Sequence, residues 1–83
     1  MQLNDEVSIV DTDYGKVLLN GRSGAYWELN PTGGFVLTEL LAGKGSTDIA
    51  ASLAKEYDVT TERAVTDVES VFTALYEAGL IRR

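Results

Sequence analysis

Neither cysteine nor histidine occurs among the 83 residues of this chain. The first absence excludes disulfides, thiolate metal sites and cysteine nucleophiles. The second removes the commonest general base, the usual zinc ligand and every Ser-His-Asp arrangement. Cations are scarce too: 7 Lys and Arg face 13 Asp and Glu, a net charge of −6, so phosphate backbones are poor partners. No apolar run approaches the roughly 20 residues that a membrane span needs. Residues 1–6 lack the basic n-region of a signal peptide. What remains is ordinary globular composition, 45% hydrophobic and 24% charged. The expectation is one cytoplasmic domain over residues 1–83, a binding module without cofactor or metal and not an enzyme.

The order of the chain is strands first, helices second. Val7 and Ile9 alternate with Ser8 and Val10, and the acidic stretch Asp11, Thr12, Asp13, Tyr14, Gly15 reads as a turn. Residues 16–20 form a second apolar run. Asn20 and Gly21, followed by Arg22, Ser23 and Gly24, give the strongest hairpin signal, because Asn and Gly accept the positive φ of tight turns. Residues 25–29 are rich in aromatics and form a third strand. The pattern then switches at Asn30 and Pro31, an N-cap followed by a proline suited to the first helical position. Phe35, Val36, Leu37, Leu40 and Leu41 recur at helical spacing up to Gly43, a left-handed stop. Ser46 is the expected cap of a second helix with Asp48 in its first turn; Ile49, Ala50, Leu53, Ala54 and Tyr57 are its apolar face. Thr60 is the expected cap of a third helix that runs to about Ala78, where Gly79 ends it and Leu80 folds back on Leu75. The fold class is α+β: a three-stranded antiparallel sheet followed by three helices, winged helix-turn-helix-like.

Winged folds commonly read DNA with a basic third helix. Here residues 61–78 carry one cation, Arg63, against Glu62, Asp67, Glu69 and Glu77, so charge opposes that role. Two other features suggest a peptide groove. Apolar positions on the third helix span roughly 200° where a core stripe needs about 100°. One flank carries small residues, Ala64, Val71, Ala74 and Ala78, with Asp67 among them. The third strand, for its part, has one charge, no proline and no lysine to deter pairing, whereas the first is flanked by Asp5, Glu6, Asp11 and Asp13. An extended peptide adding to that edge would gain main-chain bonds from the strand and pockets from the helix.

Residues 24–31, Gly-Ala-Tyr-Trp-Glu-Leu-Asn-Pro, resemble the third strand and helix entry of the PqqD-like domains, also called RiPP recognition elements. Leu40, Leu41, Ala42 and Gly43 resemble the end of that family's first helix. Asp48, Ile49, Ala50, Leu53 and Tyr57 resemble its second helix. Asp67, Val68, Phe72, Leu75 and residues 78–81 resemble its third helix and close. The resemblance implies a domain that binds the leader of a ribosomally made precursor peptide as an added strand between strand three and helix three. It further implies a stand-alone leader-binding protein of lasso-peptide biosynthesis, whose partners are the precursor, a leader-removing cysteine protease and an ATP-dependent macrocyclase, with no nucleic acid and no membrane. Carried over by position, the peptide-binding residues would be Ala25, Tyr26, Trp27, Glu28 and Leu29 on the strand and Ala64, Asp67, Val68, Val71 and Leu75 on the helix. Tyr26 and Trp27 lie on opposite faces of a strand, and register decides which one meets the peptide. Alternatives are a PQQ-pathway peptide chaperone for a radical enzyme and an acidic winged-helix assembly module without a groove. Asp11 and Asp13 beside the first turn read as solvated acids rather than a cation site.

Overall fold

A computed structural model describes residues 1–82; Arg83, the end of the expected domain, lies outside the described residues. The elements in chain order are β1 (Gln2–Leu3), β2 (Val7–Thr12), β3 (Gly15–Asn20), β4 (Tyr26–Leu29), α1 (Pro31–Leu41), α2 (Ser46–Tyr57), α3 (Thr61–Glu77) and β5 (Ile81–Arg82). β2, β3 and β4 form an antiparallel sheet in that order, the meander expected before the three helices. Asp13 and Tyr14 make the first turn, with Thr12 opposite Gly15. Gly15 is obligatory there: its φ is +143°, and a Cβ would strike the Leu29 carbonyl oxygen of β4.

The second hairpin is built on Asn20. Its Oδ1 accepts from the N–H groups of Arg22 (2.9 Å) and Ser23 (3.2 Å). Its backbone carbonyl accepts from Gly24 N–H, and its own N–H donates to the Ala25 carbonyl, both at 2.9 Å. Gly24 has φ +78°, the left-handed residue of a bulge that closes such turns. Ala25 is thereby consumed by the turn, and the strand expected over 25–29 begins at Tyr26 instead.

Each helix has an identifiable start and stop. Asn30 Oδ1 accepts from Gly33 N–H at 2.7 Å, with Pro31 in the first turn of α1. Gly43, φ +86°, follows the end of α1. The cap of α2 is Gly45, not Ser46: Gly45 holds the extended dihedrals and no side chain caps this helix, so Ser46 is its first helical residue. Thr60 Oγ1 caps α3 by accepting from Arg63 N–H at 3.1 Å. At the far end Leu80 N–H donates to Leu75 O (3.0 Å) and Gly79 N–H to Tyr76 O (3.1 Å), the paired bonds of a glycine stop.

The sequence pattern did not anticipate that β1 and β5 pair antiparallel, Gln2 with Arg82 and Leu3 with Ile81. The Asn4 side-chain amide donates to the carbonyls of Gly79 and Ile81, locking this terminal ribbon to the end of α3. Two apolar clusters hold the layers together. Val36, Leu40, Ile49, Ala50, Leu53, Ala64 and Val68 fill the space among the helices. Leu18, Leu37, Leu75, Leu80 and Ile81 join sheet, α1, α3 and ribbon. Val71 and Phe72 pack against both. Burying one such leucine is worth about 1.5–3 kcal/mol, so the position of α3 relative to the sheet is set mainly by these contacts.

Candidate functional site at the edge of the sheet

β4 is an edge strand: among the described residues no strand pairs with its outer side. Its register against β3 is Leu29 to Lys16, Glu28 to Val17, Trp27 to Leu18 and Tyr26 to Leu19. The bond from Asn20 N–H to Ala25 O fixes the phase of this ladder. Counting in steps of two, Trp27 and Leu29 turn their backbone groups towards β3, while Tyr26 and Glu28 turn theirs to the open edge. The same alternation sorts the side chains. Trp27 stands opposite the fully buried Leu18 and shares the helix-side face, 39% exposed. Tyr26 stands opposite Leu19 on the outer face, 65% exposed. Between the two aromatics, Trp27 is therefore the one on the side of α3.

Fewer of the expected α3 residues reach the surface than the sequence pattern suggests. Ala64, Val68 and Leu75 lie in the core with 2% exposure or less. They present no surface to a ligand, because the inner half of the wide apolar arc is used by α1, α2 and the sheet. Their place on the arc is structural, and Ala64 is removed from the small-residue flank. Asp67, Val71 and Ala74 are half-buried and remain on that flank, with Ala78 exposed beyond them. A depression of about 310 Å³ lies here, lined by Asn30 and Gly33 at the exit of β4 and by Arg63, Asp67, Ser70 and Val71 on α3. Arg63 Nε stands 3.5 Å from Asp67 Oδ1, one helical turn apart. At partial exposure such a pair is worth only about 0.3–0.5 kcal/mol, so a ligand displaces it cheaply. Arg63 and Ser70 were not among the expected site residues. The signal was present in their spacing, since positions four before and three after Asp67 share its face.

The arrangement offers backbone donors and acceptors along one edge, an indole beside them, and a mixed polar and apolar depression one layer away. Among the described residues no group of three acidic, histidine or cysteine side chains is placed to hold a metal ion. Asp11, one of the two acids at the first turn, is bonded to the Lys16 ammonium. No described helix is long and apolar enough to cross a membrane.

Residues 15–81 match the family described as coenzyme PQQ synthesis protein D (PqqD). A solved structure described as lasso peptide synthetase B1 complexed with the leader peptide superposes with a TM-score of 0.91 at 41% identity, covering 99% of this chain and 96% of its own. A second, described as TbiB1 in complex with the TbiA(beta) leader peptide, gives a TM-score of 0.83 at 28% identity, covering 96% and 93%. No curated protein matches by sequence.

Proposed function

The chain belongs to the PqqD family, and from that premise we propose that it is a non-catalytic binding protein for the leader of a ribosomally made precursor peptide. The leader adds as a β-strand to the open edge of β4, between β4 and α3. It is thereby presented to the leader-removing cysteine protease and the ATP-dependent macrocyclase of a lasso-peptide pathway. The observation that carries this reading is the vacant edge of β4 in a chain that is 41% identical, over 99% of its length, to a lasso peptide synthetase B1 described as holding a leader peptide. The same likeness favours the lasso pathway over a PQQ-pathway chaperone.

The binding residues under this proposal are Tyr26 and Glu28 through their backbone, Trp27 and Leu29 on the helix-side face, and Asp67 and Val71 on α3, with Arg63 and Ser70 added. Strand addition supplies affinity through main-chain bonds, and the depression selects side chains. Trp27 is the only tryptophan, so its emission reports the site directly. Titrating the protein with the leader peptide bound by the lasso peptide synthetase B1 neighbour, and with the leader of its own pathway's precursor, should shift Trp27 emission saturably and show heat in calorimetry. Absence of both signals with the cognate leader at high micromolar concentration refutes the proposal.

A further inference from the structure

Glu28 is the one charged residue of β4, and among the described residues its carboxylate makes no ion pair. The two cations that precede α1 are engaged elsewhere, Lys16 by Asp11 and Arg22 by Glu6. Glu28 stands opposite Val17 on the outer face of the sheet, and Tyr26, two residues away, shares that face. The backbone N–H and C=O of Glu28 point to the open edge. An exposed acid therefore stands at a position where an added strand pairs directly with β4. Beside it on the outer face lies a depression of about 570 Å³, lined by Tyr14, Val17 and Asn30 among others.

We infer that Glu28 is a specificity-determining residue for the leader, selecting a lysine or arginine at the one leader position that lies directly opposite it. Glu28 can act this way only if the leader adds to β4 as proposed above. The residue opposite Glu28 sends its side chain to the same outer face, with Cβ atoms about 5 Å apart in antiparallel pairing. A cation there meets the free carboxylate, and a long side chain also reaches the diagonal neighbour, the exposed Tyr26 ring, whose face attracts positive charge. Its methylene stem lies along the apolar surface of Val17 and Tyr26 while its head stays in water. An acidic leader residue at that position meets a like charge and no free cation. The contact confers selectivity more than affinity, because an exposed cross-strand ion pair changes binding by no more than about fivefold.

The test is a scan of the cognate leader, each position replaced in turn by Lys and by Glu. Every peptide is titrated against wild type, Glu28→Gln and Glu28→Lys, with Trp27 emission as the read-out. The net charge of −6 favours cations along the whole peptide, so each preference for Lys over Glu is read against the mean of the scan. On wild type one position should exceed that mean by about tenfold, the attraction gained and the repulsion removed together. The excess should vanish on Glu28→Gln and reverse on Glu28→Lys. Leader binding with no position that changes its preference among the three proteins overturns the role of Glu28 and leaves the leader-binding role standing. Self-association of Glu28→Gln in sedimentation, with an unchanged scan, overturns it as well, since the carboxylate then guards the edge against a second copy. If the cognate leader does not bind wild type at all, the leader-binding role falls and this selectivity falls with it. Circular dichroism checks the folding of both variants; should Glu28→Lys unfold, loss of the excess on Glu28→Gln carries the same expectation.

Discussion

Hydrogen exchange at four consecutive amides tests the geometry of the proposed site. In the free protein, Trp27 and Leu29 donate towards β3, whereas the amides of Tyr26 and Glu28 face the open edge. Exchange should therefore alternate along β4, fast at Tyr26 and Glu28 and slow at Trp27 and Leu29. Adding leader at about 100 times its dissociation constant stabilises the bound form by about 2.7 kcal/mol, which allows roughly 100-fold slowing at amides that become bonded only in the complex. Tyr26 and Glu28 should approach that limit. Trp27 and Leu29, already bonded, should slow only as far as the whole sheet is stabilised. The measurement is exchange followed by NMR on labelled protein with and without peptide. A reversed alternation in the free protein would show that the phase of the β4 ladder is wrong. Correct alternation, with no slowing at Tyr26 and Glu28 under demonstrated leader binding, would place the peptide somewhere other than this edge.

Val71→Glu should abolish leader binding in calorimetry, because a carboxylate would be desolvated against an apolar ligand beside Asp67, and should lower the urea midpoint while circular dichroism keeps its helical signal, because Val71 also packs against both core clusters; binding within threefold of wild type, a difference under about 0.7 kcal/mol, removes α3 from the site. Gly15→Ala should cost about 3 kcal/mol or more in urea unfolding, since it adds backbone strain to a collision with the Leu29 carbonyl. Gly24→Ala, which meets no atom within 4 Å, should cost only the strain, about 1 kcal/mol. Thr60→Ala removes the bond to Arg63 N–H and should lower stability by about 1 kcal/mol in the same assay, without changing leader affinity.

Much of this fold is written locally. Asn30 and Pro31 at one end of α1 and Gly43 at the other mark it by their own backbone preferences, and Thr60 and Gly79 do the same for α3. The sheet was legible because Gly15, Asn20 and Gly24 sit where the turns need them. What escaped was set by contacts distant in sequence. β1 and β5 are two residues each, too short for any period, and exist because Asn4 ties them to the end of α3. Ser46 is as good a capping residue as any, yet the chain turns extended one residue earlier, at Gly45. The division of α3 was the largest gap. Its apolar arc was readable, and Val68 and Leu75 read as core as readily as site, but nothing in the pattern says that Ala64 is fully buried while Asp67 and Val71 keep part of their surface at the depression. That depends on where α1 and α2 pack.

The edge alone cannot account for useful affinity. β4 has four residues, and two of them, Tyr26 and Glu28, present free backbone groups, hence at most four added main-chain hydrogen bonds. At about 0.5–1.5 kcal/mol net for each bond, the ladder contributes roughly 2–6 kcal/mol. Ordering even five residues of a flexible peptide costs about 5–10 kcal/mol, before any loss of translational freedom. The balance has to come from apolar area, at about 25 cal/mol for each Å² removed from water. On the side of the sheet that faces α3, the apolar surfaces on offer are the half-exposed Trp27 indole and the Val71 flank. Truncating the leader side chains that point towards α3 should therefore weaken binding far more than truncating the alternate set, although both sets belong to the same added strand. Equal losses from the two sets, measured by calorimetry on a leader alanine series, would mean that main-chain pairing carries the affinity and that the depression beside Asp67 is idle.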